Sequence, residues 1–164
     1  MKNLCMILPL ALILCFMVAC QKQAEETKPT VDIEADIEAL KSITDKVMKA
    51  FNEGGLESFM TTITDDAVFM PPGEPVIIGK EAIRNWYNFD KIGFDVTISV
   101  DEIEVCGDWA FLRATWIGTQ TQKESDETTE FKATDMSIHR RQPDGSWKTS
   151  HAIWNFTSME TREN

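Results

Sequence analysis

The chain has 164 residues, with 16 basic and 27 acidic side chains and a formal charge of −11. That length holds one ordinary domain plus an appendage and excludes a multidomain protein. An acidic excess with no basic stripe excludes a nucleic-acid binder, whose affinity rests on clustered Lys and Arg neutralising phosphates.

The appendage comes first. Met1-Lys2-Asn3 is a short cationic start, and Leu4 to Val18 is an uncharged, mostly apolar run ending at small Ala19 and then Cys20. This is the pattern of a secretory signal over residues 1–19. The run is shorter than the roughly 20 residues a spanning helix needs, and the segment after it is polar. Met17-Val18-Ala19-Cys20 resembles the bacterial lipobox, which implies that Cys20 carries a lipid and becomes the new N-terminus. Two-signal acylation of that kind gives stable membrane anchoring. Gln21 after the cysteine resembles the outer-membrane sorting pattern, so the expected location is the periplasmic side of the cell envelope. Cys5 and Cys15 leave with the signal and Cys20 is modified, so Cys106 has no partner and no intrachain disulfide is expected. Residues 20–31 lack apolar periodicity and read as a flexible tether. The folded domain is expected over 32–160.

Ile33, Ile37, Leu40, Ile43, Val47 and Phe51 recur at spacings of three and four and predict a helix from Asp32 to Glu53. Gly54-Gly55 stops it. A second helix is predicted over Leu56 to Ile63, a short strand over Ala67 to Met70, a loop at Pro71-Pro72-Gly73-Glu74-Pro75, and a third helix over Lys80 to Asn88. From Gly93 the period becomes two. Phe94, Val96, Ile98 and Val100 alternate with polar neighbours, and Ile103 and Val105 continue out of phase, which places a bulge near Asp101-Glu102. Gly107-Asp108 is a hairpin turn, followed by strands over Trp109 to Thr119, Glu130 to Gln142 and Ser146 to Ser158. Gln120 to Thr129 reads as a polar loop. Helices followed by a strand meander give an α+β fold.

The Pro143-Asp144-Gly145 turn fixes a register, because proline presets a type I turn and glycine takes the left-handed position. A three-residue loop pairs Gln142 with Ser146 and sets Ser137 opposite His151, His139 opposite Thr149 and Asp135 opposite Ile153. One face then carries Asp135, Ser137, His139, Trp147, Thr149, His151, Ile153 and Asn155; the other carries Met136, Ile138, Ala152, Trp154 and Phe156. Apolar side chains on both faces imply that both are covered, one by the helices and one by a second copy in a homodimer.

Three strings resemble a known family: Thr64-Asp65-Asp66-Ala67-Val68-Phe69-Met70-Pro71-Pro72-Gly73; Ile78-Gly79-Lys80-Glu81-Ala82-Ile83; and Arg140-Arg141-Gln142-Pro143-Asp144-Gly145-Ser146-Trp147-Lys148 with Ile153-Trp154-Asn155. They are similar to the SnoaL-like, ketosteroid-isomerase-like branch of the nuclear transport factor 2-like superfamily. The resemblance implies a cone, in which a curved antiparallel sheet of about four to six strands wraps a long N-terminal helix and two shorter helices around a pocket. It also implies frequent dimers through the sheet. The best-understood isomerases of that fold combine a carboxylate base with a tyrosine and a protonated aspartic acid. Alignment through the shared strings puts the base at Pro71, the tyrosine at Val47 and the acidic donor at Ser137, so all three groups are missing and classical steroid isomerisation is not expected. Fold alone does not assign the activity.

Candidate site residues follow from the faces. His151 or His139 with Asp135 would make an acid–base pair near neutral pH, although strand histidines are more often simply packed. No Gly-x-Ser-x-Gly elbow supports a serine nucleophile, and two histidines without spaced carboxylates make a poor metal signal. Met70, Trp86, Tyr87, Ser137, Asn155 and Arg113 are the expected pocket residues, with a salt bridge the alternative for Arg113. No cofactor is expected. Three functions stay open: a lipoprotein binding a small hydrophobic or amphipathic molecule in its cone, an isomerase, cyclase or dehydratase, and a protein-interaction module.

Overall fold

Helix α1, Ile33–Glu53, opens the domain in the computed structural model, which describes residues 32–162. The signal sequence, the lipidated Cys20 and the tether expected before it lie outside the described residues. Asp32 caps the helix by accepting from the Ala35 N–H at 3.1 Å, Glu34 and Asp36 sit at its positive end, and Gly54 closes it at φ 68°. Helix α2, Leu56–Met60, and strand β1, Ile63–Met70, follow; the predicted second helix ends early and the strand starts four residues sooner than its Ala67. Strand β2, Ile77–Ile78, and helix α3, Lys80–Trp86, precede the long strands β3, Ile92–Cys106, β4, Trp109–Gln122, β5, Thr128–Arg141, and β6, Trp147–Arg162. The expected polar loop from Gln120 to Thr129 is half strand, because Gln120 and Thr121 pair with Thr129 and Thr128 and β4 runs on to Gln122.

The six strands form one sheet in the order β2-β1-β6-β5-β4-β3. All neighbours are antiparallel except β1 and β6, which run parallel, a pairing that the meander reading did not include. The long helix packs chiefly on β3. At its C-terminal end the Asn52 side chain bonds both ways to the backbone of Val96, donating to its carbonyl at 3.0 Å and accepting from its N–H at 2.8 Å. An amide side chain thus completes a stretch of edge strand that would otherwise present free polar groups. The bulge at Asp101 is present, as β3 shifts register against β4 between Val100 and Glu102.

A second bulge changes the faces. The pairing of β5 with β6 keeps the turn-derived register only from Arg141↔Trp147 to His139↔Thr149; beyond it Ile138 meets His151, Ser137 meets Ala152 and Asp135 meets Trp154. Ser150 is the extra residue, buried, with its hydroxyl donating to the Ile138 carbonyl at 3.1 Å. Because side chains alternate, one added residue sends those after it to the opposite face, until a further register shift between Ala133 and Lys132 restores the phase. His151, Ile153 and Asn155 therefore leave the Asp135 face, and Ala152, Trp154 and Phe156 join it.

The concave face meets two apolar clusters. One surrounds Phe51, Phe59, Phe69, Ile83 and Phe89; the other joins Leu40 and Ile43 of α1 to Ala110 and Trp147. Beside the second, Asp36 accepts two bonds from Arg141, at 2.6 and 2.5 Å, and one from Trp147 Nε1 at 3.0 Å. Arg141 also stacks over the Trp147 ring, 4.4 Å from its centroid. This clamp ties the start of α1 to the turn between β5 and β6.

Candidate functional site

The curl of the sheet leaves a cavity of about 420 Å³ between its concave face and the helices. Ten aromatic side chains line it. Phe51 of α1 is their hub, meeting Phe59, Tyr87, Phe89, Phe94 and Trp116 edge-to-face at centroid distances of 5.0–5.5 Å. Small residues opposite the helix make the room: Ala114 of β4 and Ala133 of β5 both line the space and are almost fully buried.

Polar groups come from alternate positions of β5. Asp135, Ser137 and His139 all reach the cavity, together with Thr149 across the strand pair. Trp116 Nε1 donates to Asp135 Oδ1 at 2.8 Å. Burial pushes the Asp135 carboxyl up to about 6, against the lowering effects of the Trp116 and Ser137 donors, and the charge of Asp101 raises it further. No cation enters that balance. Burial and then the Asp135 charge push the Tyr87 phenol above its ordinary value, so it stays protonated and able to donate.

His139 lies deepest. Burial drives its pKa down to about 4, which keeps the imidazole neutral at pH 7. Its Nε2 lies 3.1 Å from the Ser137 hydroxyl and its Nδ1 3.4 Å from that of Thr149, so both nitrogens have partners in either tautomer. A neutral histidine bonded at both nitrogens is placed to orient the Ser137 and Thr149 hydroxyls.

The remaining expected site residues lie elsewhere. His151 is on the convex face, with Nδ1 3.1 Å from Ser150 Oγ, so it does not pair with Asp135. Asn155 is exposed there, opposite Thr134. Met70 follows Phe69, which points inward, and faces outward opposite Ile153. Arg113 is on the convex face, paired with Asp101 at 3.0 Å and Glu102 at 3.3 Å. Trp86 and Tyr87 line the cavity, as do Val47, Pro71 and Ser137, the three positions that the isomerase alignment singled out. Trp116 and Trp154, aromatic positions that the sequence leaves open between pocket and core, line the cavity, and so does Phe131, which is not among the expected pocket residues. The phase of Asp135 along β5 carried the signal for Phe131, and the bulge at Ser150 hid Trp154. Among the described residues no three His, Cys, Asp or Glu side chains group to hold a metal ion.

Comparison with known proteins places this geometry. A family model described as SnoaL-like domain matches residues 44–149. The structure is similar to a ketosteroid isomerase-like protein from Erwinia carotovora atroseptica SCRI1043, with 28% identity, a TM-score of 0.69, and coverage of 75% of this chain and 97% of that one. A hexachlorocyclohexane dehydrochlorinase from Novosphingobium barchaimii LL02 shares the fold at 17% identity and TM-score 0.66, over 80% and 92% of the two chains. A nuclear transport factor 2-like protein from Salmonella enterica shares it at 14% identity and TM-score 0.65, over 74% and 90%. A search of curated proteins gave no match.

Proposed function

Starting from a chain that belongs to the SnoaL-like domain family, we propose that the domain binds a small hydrophobic molecule of about two or three rings in its cone, with Asp135 as the ligand's polar contact. The observation that carries this reading is the cavity itself: about 420 Å³ walled by aromatic rings, with the Asp135 carboxylate set into the wall. In this reading the lipid on Cys20 holds the domain at the cell envelope. A second copy covers the convex face, where Trp109, Ile117, Met136, Ile138 and Ile153 are exposed.

One observation favours a second reading, proton transfer of the isomerase or lyase type. Burial holds the Asp135 carboxyl above the ordinary carboxylate range, at about 6, and its charge helps keep the Tyr87 phenol of the same cavity protonated, so a base and a hydrogen-bond donor share the space, as proton abstraction next to a carbonyl requires. Asp135 and Tyr87 would carry that chemistry without His151.

Binding is tested with N-phenyl-1-naphthylamine, an uncharged dye that fluoresces in apolar surroundings. The full chain is expected to enhance its emission saturably. Ala133→Phe, which fills the cavity from β5, should weaken binding at least tenfold while the circular dichroism spectrum is unchanged. Absence of enhancement, or equal enhancement by the folded variant, would contradict the reading.

A further inference from the structure

Charge inside the cavity is one-sided. Glu74 and Asp135 are its two acidic lining residues, and no Lys or Arg lines it among the described residues. Three arginines of the long strands are engaged elsewhere: Arg113 with Asp101 and Glu102, Arg140 with Asp66, Arg141 with Asp36 and Asp108. Asp135 instead meets the indole N–H of Trp116, a neutral donor. A carboxylate set into apolar surroundings without a cation is costly, and the group that would offset that cost most fully is a positive charge brought in by a ligand.

The walls suit the same charge. Aromatic faces attract cations, and desolvation strengthens the attraction. Phe51, Tyr87, Trp116 and Phe94 form a continuous edge-to-face set, with Trp116 itself touching Asp135. Since Trp116 uses Oδ1, the carboxylate keeps acceptor capacity toward the cavity. An anionic ligand would meet two carboxylates and no compensating cation.

We propose that the ligand of this cavity is a hydrophobic amine, bound as its ammonium ion by Asp135 within the aromatic walls. This rests on the binding reading above and narrows it to a chemical class; carboxylates and phosphates are disfavoured.

Three probes of one shape test it on the full chain at pH 7.5: 1-naphthylmethylamine, which is protonated, 1-naphthalenemethanol, which is neutral, and 1-naphthoic acid, which is anionic. Calorimetry is expected to show the amine binding at least tenfold tighter than the alcohol, with the acid weakest. Asp135→Asn, which keeps an acceptor for Trp116, should erase the preference for the amine while the alcohol still binds. Ala133→Phe should weaken all three. Equal binding of amine and alcohol by the native chain would overturn the amine assignment and leave the hydrophobic-binding reading standing. An amine preference that survives Asp135→Asn would also overturn it, since it would reflect attraction to the acidic surface. Failure of all three probes would overturn the assignment, and failure of the uncharged dye as well would overturn the binding reading with it.

Discussion

Gly118→Ala is expected to destabilise the domain by about 3 kcal/mol or more, at or beyond the upper end of ordinary overpacking. Gly118 pairs with Val96 where β4 curls under β3. A Cβ built there falls 2.1 Å from the Asp95 carbonyl oxygen and 2.7 Å from Val96 Cα. Both are backbone atoms, so no rotamer change relieves the overlap, and β3 has to move away. That displacement also strains the Asn52 bonds to Val96 and the ring contact of Phe94 with Phe51. Gly93→Ala is the control: its Cβ meets only the flexible end of Lys123 at 3.8 Å, and a change within about 0.5 kcal/mol is expected. Urea unfolding of both variants checks the contrast. Similar midpoints for the two would show that the close approach at Gly118 is not a constraint on the curl.

The second large effect is at the clamp. Arg141→Met leaves Asp36 buried with Trp147 as its one remaining partner among the contacts described. Breaking a fully buried pair costs about 3–5 kcal/mol; here Arg141 keeps partial access to water, so about 2–3 kcal/mol is expected. The double variant Asp36→Asn/Arg141→Met should recover part of that loss, because no uncompensated charge remains. The pair also sets a pH dependence. Hydrogen bonds from Arg141 hold the Asp36 carboxyl below its ordinary 3.8. A depressed folded-state value means that the contribution is complete above the unfolded value and is lost as pH falls through the folded one. The native chain should therefore lose stability below about pH 4 more steeply than the double variant. Parallel acid unfolding curves would contradict the role given to the pair.

The cone was legible in the sequence wherever local patterning and tertiary structure agree. The stripe from Leu40 to Phe51, the stop at Gly54, the Asp101 bulge and the two hairpin turns all follow from spacing and from glycine or proline chemistry at single positions. Asp135, Ser137 and His139 share a face by alternation along one uninterrupted strand, so their phase was readable too. What could not be read depends on contacts between distant segments. The Ser150 bulge lies where β6 pairs in parallel with β1 on one side and with β5 on the other, and nothing local at Ser150 announces it. That one residue separates His151 and Asn155 from the site and brings Trp154 into it. Met70 and Phe69 are both apolar, and only the docking of β1 on β6 decides which turns inward. Gly118 occupies an ordinary strand position, and its role appears only when β3 approaches.

Asp135 is where fold and function meet, and its titration is the direct test. Carbon-detected NMR of the aspartate carboxyls in the full chain, with Asp135 identified by its loss in Asp135→Asn, gives its midpoint alone and with 1-naphthylmethylamine bound. The expected midpoint is about 6 in the free protein, raised by burial and by Asp101 against the donors Trp116 and Ser137, in a cavity it shares with neutral His139 and protonated Tyr87. Binding of the amine should draw that midpoint down toward the ordinary carboxylate range, because a nearby positive charge favours the ionised form. A free-protein midpoint near 3.8, or one that the amine leaves unchanged or raises, would contradict an unpaired carboxylate awaiting a cationic ligand.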